Sequence, residues 1–575
     1  MHILGINAYH PNSSACIVKD GQLIAAAEEE RFRRIKHWAG FPAQAIRYCL
    51  NEAGVGLKDI DYIGVSRDPW RHLHKKILLA LRRRLPVSLL KLRLENLARI
   101  QGMRETLCSE FGILPNECRA RIYNIEHHRA HIASSFFLSG FNDAAVLSID
   151  AMGDFVSTMW GRARGNKIKV MDWIEFPHSL GFFYSAATQF LGFIKFGDEF
   201  KVMGLSAYGQ PRYVRNLKKI LIFDKEGKFR LKPEYFSFYS TGIKMLWDNQ
   251  EPEVGTLYSE KWITEFGPPR HPEEELTQHY KDIAASLQAL LEEAYFYILN
   301  HLYAQTKVDR ICLAGGVALN CAANGKILEN THFKEIYIQP AANDAGTSLG
   351  AAYYIYHQIL NQPKNFTMQH SYWGPEFTDQ EIKILLEKHG IAFKRYEGPE
   401  LIIYAAQALA AGKIVGWFQQ RMEWGPRSLG NRSILADPRR SQMKDTLNAR
   451  VKHREPFRPF APSILKEDVA EYFAKEYDSP FMLLSLPVCQ EKVNNIVASA
   501  HIDGTARLQT VSKTANPIFW QLINEFKKIT KVPVLLNTSF NENEPMVCAP
   551  NEALDCFLRT KMDILIISNF VIEKA

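Results

Sequence analysis

Apolar and polar positions alternate in short blocks at the start of the chain, and the same spacing returns further on. ILGINAYHPNSSACIVKDGQLIAAAEEE (3–30) predicts a strand, a polar turn, a second strand, an Asp20-Gly21 hairpin turn and a third strand. AVLSIDAMGDFVSTMWGRARGNKIKVMDWIEF (145–176) predicts that order again. Asn7 and Asp150 fall at equivalent places, where the first strand of each set runs out. Two such starts, separated by helical patterns, predict a duplicated α/β domain with a cleft between its halves.

Two later segments extend the second half. RICLAGGVALNCAANGKIL predicts an apolar strand, a turn at Gly315 and Gly316, and a helix start whose free N–H groups would face an anion. EIYIQPAANDAGTSLGAAYYIYHQIL repeats the device, with Asn343 and Asp344 in the loop. With Gly153 in DAMGD, these loops favour a nucleotide or phosphate site. Polar, proline-containing sequence at 361–375 reads as a linker, after which FTDQEIKILLEKHGIAFKRY restarts a helix–strand alternation. The expected domains are 1–365, with insertions at about 68–105 and about 223–275, and 371–575.

IEHHRAHIASSFF (125–137) places three histidines ahead of an apolar run. On a helix His127 and His131 share one face and His128 points elsewhere. The pair either covers a buried helix or supplies two ligands to one metal. The metalloprotease pattern is excluded, since it needs Glu where His128 stands. Asp150 and Asp344, at strand ends, would complete a set of two imidazoles and two carboxylates, suited to iron or zinc with a position open for substrate.

Composition changes this picture little. Apolar and charged fractions of 46% and 23% are those of an ordinary globular protein. The nine cysteines are scattered, with no C-x-x-C pair, so a zinc knuckle or disulfide framework is not expected and a reducing cytoplasm fits. MHILGINAYH reads as a strand and not a signal peptide, and no apolar run approaches the roughly 20 residues of a membrane span. The formal charge of +8 is concentrated in two patches. Residues 71–104 hold ten Lys/Arg and one acid, and residues 421–458 hold ten Lys/Arg and four acids, which leaves the remainder acidic. That distribution argues against a uniformly basic nucleic-acid binder. The first patch reads as a surface helical insertion, with membrane-surface docking or an anionic partner as alternatives.

Nine motifs, in order along the chain, together resemble the nodulation-type and antibiotic-type O-carbamoyltransferases. They are AEEERFRRIKHWAGFP (27–42), HHRAH (127–131), GDEFKVMGLSAYG (197–209), GGVALNCAANGKI (315–327), NDAGTSLGAA (343–352), EWGPRSLGNRSILADPR (423–439), VKHREPFRPFAPS (451–463), DGTARLQTV (503–511) and NTSFNENEP (537–545). The resemblance implies an actin-like, duplicated N-terminal domain akin to the tRNA threonylcarbamoyl transferases, and a YrdC-like α/β C-terminal domain. It implies that ATP and carbamoyl phosphate give carbamoyl-adenylate in the C-terminal domain. The N-terminal domain then moves the carbamoyl group to a hydroxyl of a small metabolite or sugar and releases AMP.

Carried over residue by residue, the resemblance implies His127, His131, Asp150 and Asp344 as ligands of Fe2+ or Zn2+. Gly153, Gly315, Gly316, Asn320 and Asn324 would lie beside the nucleotide, with Lys201 as a neighbour. Arg421, Lys452, Arg458, Arg507, Asn537 and Ser539 would hold carbamoyl phosphate and ATP, with room for Mg2+ on the ATP. Two polyanions brought together need several fixed cations, which accounts for the second basic patch. His10, after the first strand, is the candidate base, because imidazole titrates near neutral pH, and Lys36 is a further catalytic candidate. A homodimer is compatible with this reading; a nucleic-acid partner is not expected.

Three departures from the family pattern bear on the acceptor and on carbamoyl phosphate geometry. Asn12 stands where the family usually has Asp, Gln420 stands where Gly often precedes Arg421, and NTSFNENEP is one residue short. Two other readings compete: a tRNA threonylcarbamoyl-type enzyme gripping RNA with residues 71–104, and a nucleotide-binding regulator without transfer activity.

Overall fold

A computed structural model of the chain describes residues 1–83, 95–243, 245–246 and 250–574. The centre of the first basic patch, 84–94, and part of the second insertion, 247–249, lie outside the described residues. The chain divides into two compact units. One comprises residues 1–323 and 327–368; the other comprises 324–326 and 369–575. No helix among the described residues is long and apolar enough to cross a membrane.

The first unit carries two five-stranded sheets. β1 (His2–Asn7), β2 (Ser14–Lys19) and β3 (Gln22–Glu28) form an antiparallel meander, followed by α1 (Ala43–Ala53), β4 (Tyr62–Val65) and β5 (Arg121–Asn124). β4 pairs parallel to β1, and β5 parallel to β4, giving the order β3-β2-β1-β4-β5. After α2 (His127–Phe136), the strands β6 (Asp143–Gly153), β7 (Val156–Arg164) and β8 (Lys167–Glu175) repeat the meander. α3 (Leu180–Phe190) and the long α4 (Gln278–Thr306) precede the parallel strands β9 (Arg310–Ala314) and β10 (Glu335–Ile338). The second order, β8-β7-β6-β9-β10, is the first one over again. The duplication expected from the repeated strand pattern is therefore present in the pairing itself.

Each sheet is followed by a helix: α2 after β5, and α5 (Gly346–Tyr353) after β10. The small-residue face of GTSLGAA lets α5 lie close to its neighbours. A Cβ on Gly350 would stand 1.7 Å from the Ala130 carbonyl oxygen of α2, and one on Gly5 would stand 2.0 Å from the Ser348 carbonyl oxygen. These approaches carry the histidine helix and the Asp344 loop to the same edge of the unit. Apolar faces of β1 to β4 and of α1 bury Leu4, Ile6, Ile17, Ile46, Leu50 and Ile63 to complete the core of the first half.

The second unit begins with a helix over Asp379–Lys388, opened by a capping box between Thr378 and Glu381. β11 (Lys394–Arg395), α6 (Pro399–Ala410), β12 (Val415–Phe418), β13 (Arg432–Ala436), β14 (Ala461–Leu465), β15 (Leu484–Pro487), β16 (Thr505–Val511), α7 (Pro517–Thr530), β17 (Val534–Ser539), α8 (Pro550–Arg559), β18 (Ile564–Ile567) and β19 (Phe570–Glu573) follow. The nine strands form one mixed sheet in the order β11-β19-β18-β12-β13-β17-β14-β16-β15. Phe418, Ile434, Leu536, Phe540, Phe557 and Leu565 bury its core.

Candidate active site

Four loops or strand ends converge in the first unit. α2 starts at His127, with Glu126 as its cap: the Glu126 carboxylate accepts from His128 N (3.1 Å) and Arg129 N (2.9 Å). Asp154, held with φ +47°, accepts from His127 N (3.0 Å) and from Asp68 N (2.7 Å). These two carboxylates fix the first helical turn, so the direction of the histidine face is set by backbone bonds. Burial, then the charge of Asp154, pushes the Glu126 carboxyl up to about 7.

On that face His127 Nε2 and His131 Nε2 lie 3.1 Å apart. Asp150 Oδ2 is 3.3 Å from His127 Nε2 and 3.5 Å from His131 Nε2; Asp344 Oδ1 is 3.4 Å from each. The four ligand atoms all fall within 4.8 Å of one another. A first-row ion with ligands at about 2.0–2.1 Å spaces neighbouring ligand atoms roughly 2.9–3.4 Å apart, from octahedral to tetrahedral geometry. The donor set and its spacing therefore fit such an ion. Burial opposes charge on His127, but hydrogen bonds to Asp150 and Asp344 outweigh it and hold the imidazole well above its usual range. The carboxylate pair demands positive charge between its members.

His128, the third histidine, is fully buried and turned away. Its Nδ1 meets Ser148 Oγ (2.9 Å) and its Nε2 meets the Val156 carbonyl (3.0 Å). Burial, then the neighbouring His127 and His131, pushes it down to about 3, which keeps it neutral.

His10 joins the cluster through Asp344. Its Nδ1 lies 2.5 Å from Asp344 Oδ2, and its ring centroid is 5.3 Å from that of His127. Asn12 does not serve His10 as a carboxylate would: its Oδ1 lies 2.8 Å from His37 Nδ1, beside Glu30 and Lys36. Lys36 thus belongs to the Glu30–His37 group. Lys201 pairs with Asp198 at 3.0 Å and lies over the Phe193 ring.

The glycines shape the cluster. A Cβ on Gly153 would stand 2.0 Å from the His127 ring, and one on Gly315 (φ +89°) would stand 2.2 Å from the Ile149 carbonyl. Gly316 N donates to Asp150 Oδ1 at 3.3 Å, which leaves Oδ2 for the histidines. The helix start expected after these glycines is absent. Gly316–Leu319 is a 3-10 turn and Cys321–Asn324 a single helical turn, so no extended helix presents its N-terminus to an anion. The left-handed Gly315 spends the loop on reaching Asp150. Asn320 is locked in a reciprocal amide pair with Gln288 (3.0 Å each way). Asn324 groups with the second unit, where its amide donates to the Leu483 carbonyl at 3.1 Å.

In the second unit VKHREPFRPF gathers cations. Lys452, 1% exposed, donates to the carbonyls of Ser539 and Asn541 (2.6 Å each) and to Asn541 Oδ1 (2.8 Å). Burial, then Arg454, pushes its amine well below the usual range. Burial, then Arg458 and Arg507, does the same to Arg454. Lys452, Arg454, Arg458 and Arg507 thus form one group, three of them expected from the sequence. Arg454 was the one missed, although it lies inside the quoted motif between Lys452 and Arg458. Arg458 keeps one acidic neighbour, Glu455, at 3.3 Å. Arg421 donates to the carbonyls of Gly374 (3.2 Å) and Trp373 (3.1 Å). Asn537 is fully buried, its amide donating to Ser463 Oγ and Gln509 Oε1 (3.0 Å each). Ser539 Oγ donates to Asn541 Oδ1 at 2.7 Å.

The family profile described as Carbamoyltransferase N-terminus matches residues 2–353, and that described as Carbamoyltransferase C-terminus matches 406–574. The chain belongs to the carbamoyltransferase family and is a transferase enzyme. It is 42% identical over 612 residues to the uncharacterized protein sll1178 of Synechocystis, covering all of this chain and 97% of that one. It is 39% identical over 573 residues to nodulation protein NolNO of Sinorhizobium fredii, covering 99% and 80% respectively. It is 37% identical over 232 residues to the 3'-hydroxymethylcephem-O-carbamoyltransferase of Streptomyces clavuligerus, covering 40% and 42%.

Proposed function

We propose that the chain is an ATP-dependent O-carbamoyltransferase working in two steps. In the second unit, read as a YrdC-like domain, carbamoyl phosphate, water and ATP give carbamoyl-adenylate, phosphate and pyrophosphate. In the first unit, read as actin-like, the carbamoyl group passes to a hydroxyl of a small metabolite or sugar and AMP leaves. The observation that carries the reading is the His127–His131–Asp150–Asp344 cluster with His10 held against it. The naming of NolNO as a nodulation protein and of the Streptomyces relative as an O-carbamoyltransferase supports it.

His127, His131, Asp150 and Asp344 would hold a divalent ion, Fe2+ or Zn2+. When bound, such an ion supplies Lewis-acid polarisation of a phosphate or carbamoyl oxygen. The remaining work falls to the chain. Asp344 Oδ2, 2.5 Å from His10 Nδ1, orients the ring and favours the tautomer that carries its proton on Nδ1. His10 Nε2 then accepts the hydroxyl proton as the acceptor oxygen attacks the carbamoyl carbon. In the second unit Lys452, Arg454, Arg458 and Arg507 repel one another, and a phosphate group between them relieves that repulsion. Arg421, Asn537 and Ser539 would shape the floor of that site through the bonds described above.

The test is incubation of the protein with ATP and carbamoyl phosphate, scored for carbamoyl-adenylate and pyrophosphate. A parallel reaction with threonine and bicarbonate separates the tRNA-modifying alternative. Product in the first mixture and none in the second is expected; the reverse overturns the proposal.

A further inference from the structure

The loop that ends β4 carries a cation the scheme above does not use. Ser66 and Asp68 pin that loop on both sides. Ser66 Oγ donates to Asn7 Oδ1 (3.3 Å) and accepts from Thr347 Oγ1 (2.8 Å), three residues beyond Asp344. Asp68 N donates to Asp154, the carboxylate that also holds His127 N. Arg67, between them, is half-buried. Its Nη1 donates to the Tyr9 carbonyl at 3.3 Å, immediately before His10. Tyr9 has φ +54°, which turns the chain there. Among the described residues Arg67 makes no direct ion pair, although it stands in the field of Asp154 and Asp344. A guanidinium has five N–H donors in a fixed fork, and the Tyr9 contact uses one.

We infer that Arg67 is a catalytic residue of the transfer step, donating to the carbamoyl oxygen as negative charge develops on it. The inference rests on the proposed function above and names the oxyanion partner in it. The placement carries the argument. Arg67 stands after β4 as His10 stands after the parallel β1, and its charge acts on Asp344, the carboxylate against His10; from that side it would donate to the oxygen of a carbonyl attacked by a hydroxyl under His10. Asp150 and the Gly316 loop, by contrast, belong to the other sheet. In the step the acceptor oxygen bonds to the carbamoyl carbon and its proton passes to His10 Nε2. The bond from that carbon to the phosphate oxygen breaks, and AMP departs with the electron pair. Arg67 neutralises the carbonyl oxygen between those events, the role for which one lost donor costs about 10²–10³-fold in kcat.

The test uses the full chain, with carbamoyl-adenylate formed in place from ATP and carbamoyl phosphate, and glycerol and water as hydroxyl probes. Arg67→Gln is expected to lower the AMP-release rate about 10²-fold, leaving pyrophosphate release, metal content and the KM for glycerol unchanged. Added guanidinium ion is expected to restore part of the rate to Arg67→Ala. Arg67→Lys is expected to fall between wild type and Arg67→Gln, because it keeps the charge without the fork. A wild-type rate in Arg67→Gln, or a defect confined to KM, or a loss of metal unrelieved by guanidinium, overturns the inference. Wild-type protein that forms no carbamoyl-adenylate, or forms it and releases no AMP, overturns instead the reading on which it rests.

Discussion

Asp344 reaches His10 with one oxygen and the histidine pair with the other: 2.5 Å from Oδ2 to His10 Nδ1, and 3.4 Å from Oδ1 to each of His127 and His131. One carboxylate therefore orients the candidate base and closes the candidate metal site. Burial opposes its charge, but His10 and then the histidine pair hold it well below the usual carboxylate range. Asp344→Asn is expected to lose both functions: metal content, and the transfer rate by more than the roughly 10²–10⁴-fold assigned to a general base. His10→Gln is expected to lose only the rate. Metal analysis beside AMP release separates the two.

Gly153 is a positional requirement of the His127 ring and touches it directly. Gly153→Ala places a methyl 2.0 Å from the ring carbon. His127 Cβ would also stand 2.6 Å from that methyl, so rotating the ring does not relieve the clash and the Gly153 strand end or the first turn of α2 must shift, which draws the imidazole off its place beside Asp150. The expected outcome is loss of bound metal with folding retained, read by metal analysis and circular dichroism.

His128 tests the opposite case. It bridges Ser148 Oγ and the Val156 carbonyl within the core. His128→Ala leaves both partners unsatisfied, at a cost of about 1–3 kcal/mol in unfolding free energy. Metal content should be unchanged, which denaturant melts and metal analysis together will show.

Much of this was legible in the sequence, and the failures have physical causes. Blocks of apolar residues set off by polar turns located the three-strand starts, because the first strands of each set are buried along nearly their whole length. The four-residue spacing of His127 and His131 was legible because helical geometry is local. The partner of His10 was not, since Asp344 arrives from the other half of the duplication through the packing of α5. Asn12 shows the same limit: the sequence marks its departure from the family pattern but not its partner, and its oxygen meets His37. The helix start expected after the glycine-rich loop failed for a different reason. A Gly-Gly turn predicts close approach, and the approach is real, but its object is the Ile149 carbonyl and Asp150 carboxylate of the chain itself.

Asn12→Asp places a carboxylate against His37 Nδ1, and a nearby negative charge favours the protonated ring. Burial now holds His37 below its usual range, so the substitution should raise its pKa, measurable by NMR titration. The transfer rate and its pH profile should stay as they are, because Asp344 is the carboxylate that serves His10.

In the second unit, mutual repulsion among Lys452, Arg454, Arg458 and Arg507 predicts stabilisation by phosphate. A ligand at one hundred times its Kd adds about 2.7 kcal/mol to stability. Arg454→Met should shrink the phosphate-induced rise in Tm, and it should slow pyrophosphate release in the complete reaction.

The division of labour between the units is most directly tested by His127→Ala and Arg421→Ala assayed side by side with ATP and carbamoyl phosphate. His127→Ala should release pyrophosphate at the wild-type rate and accumulate carbamoyl-adenylate, while Arg421→Ala should form none. Loss of the same step in both variants would contradict the account.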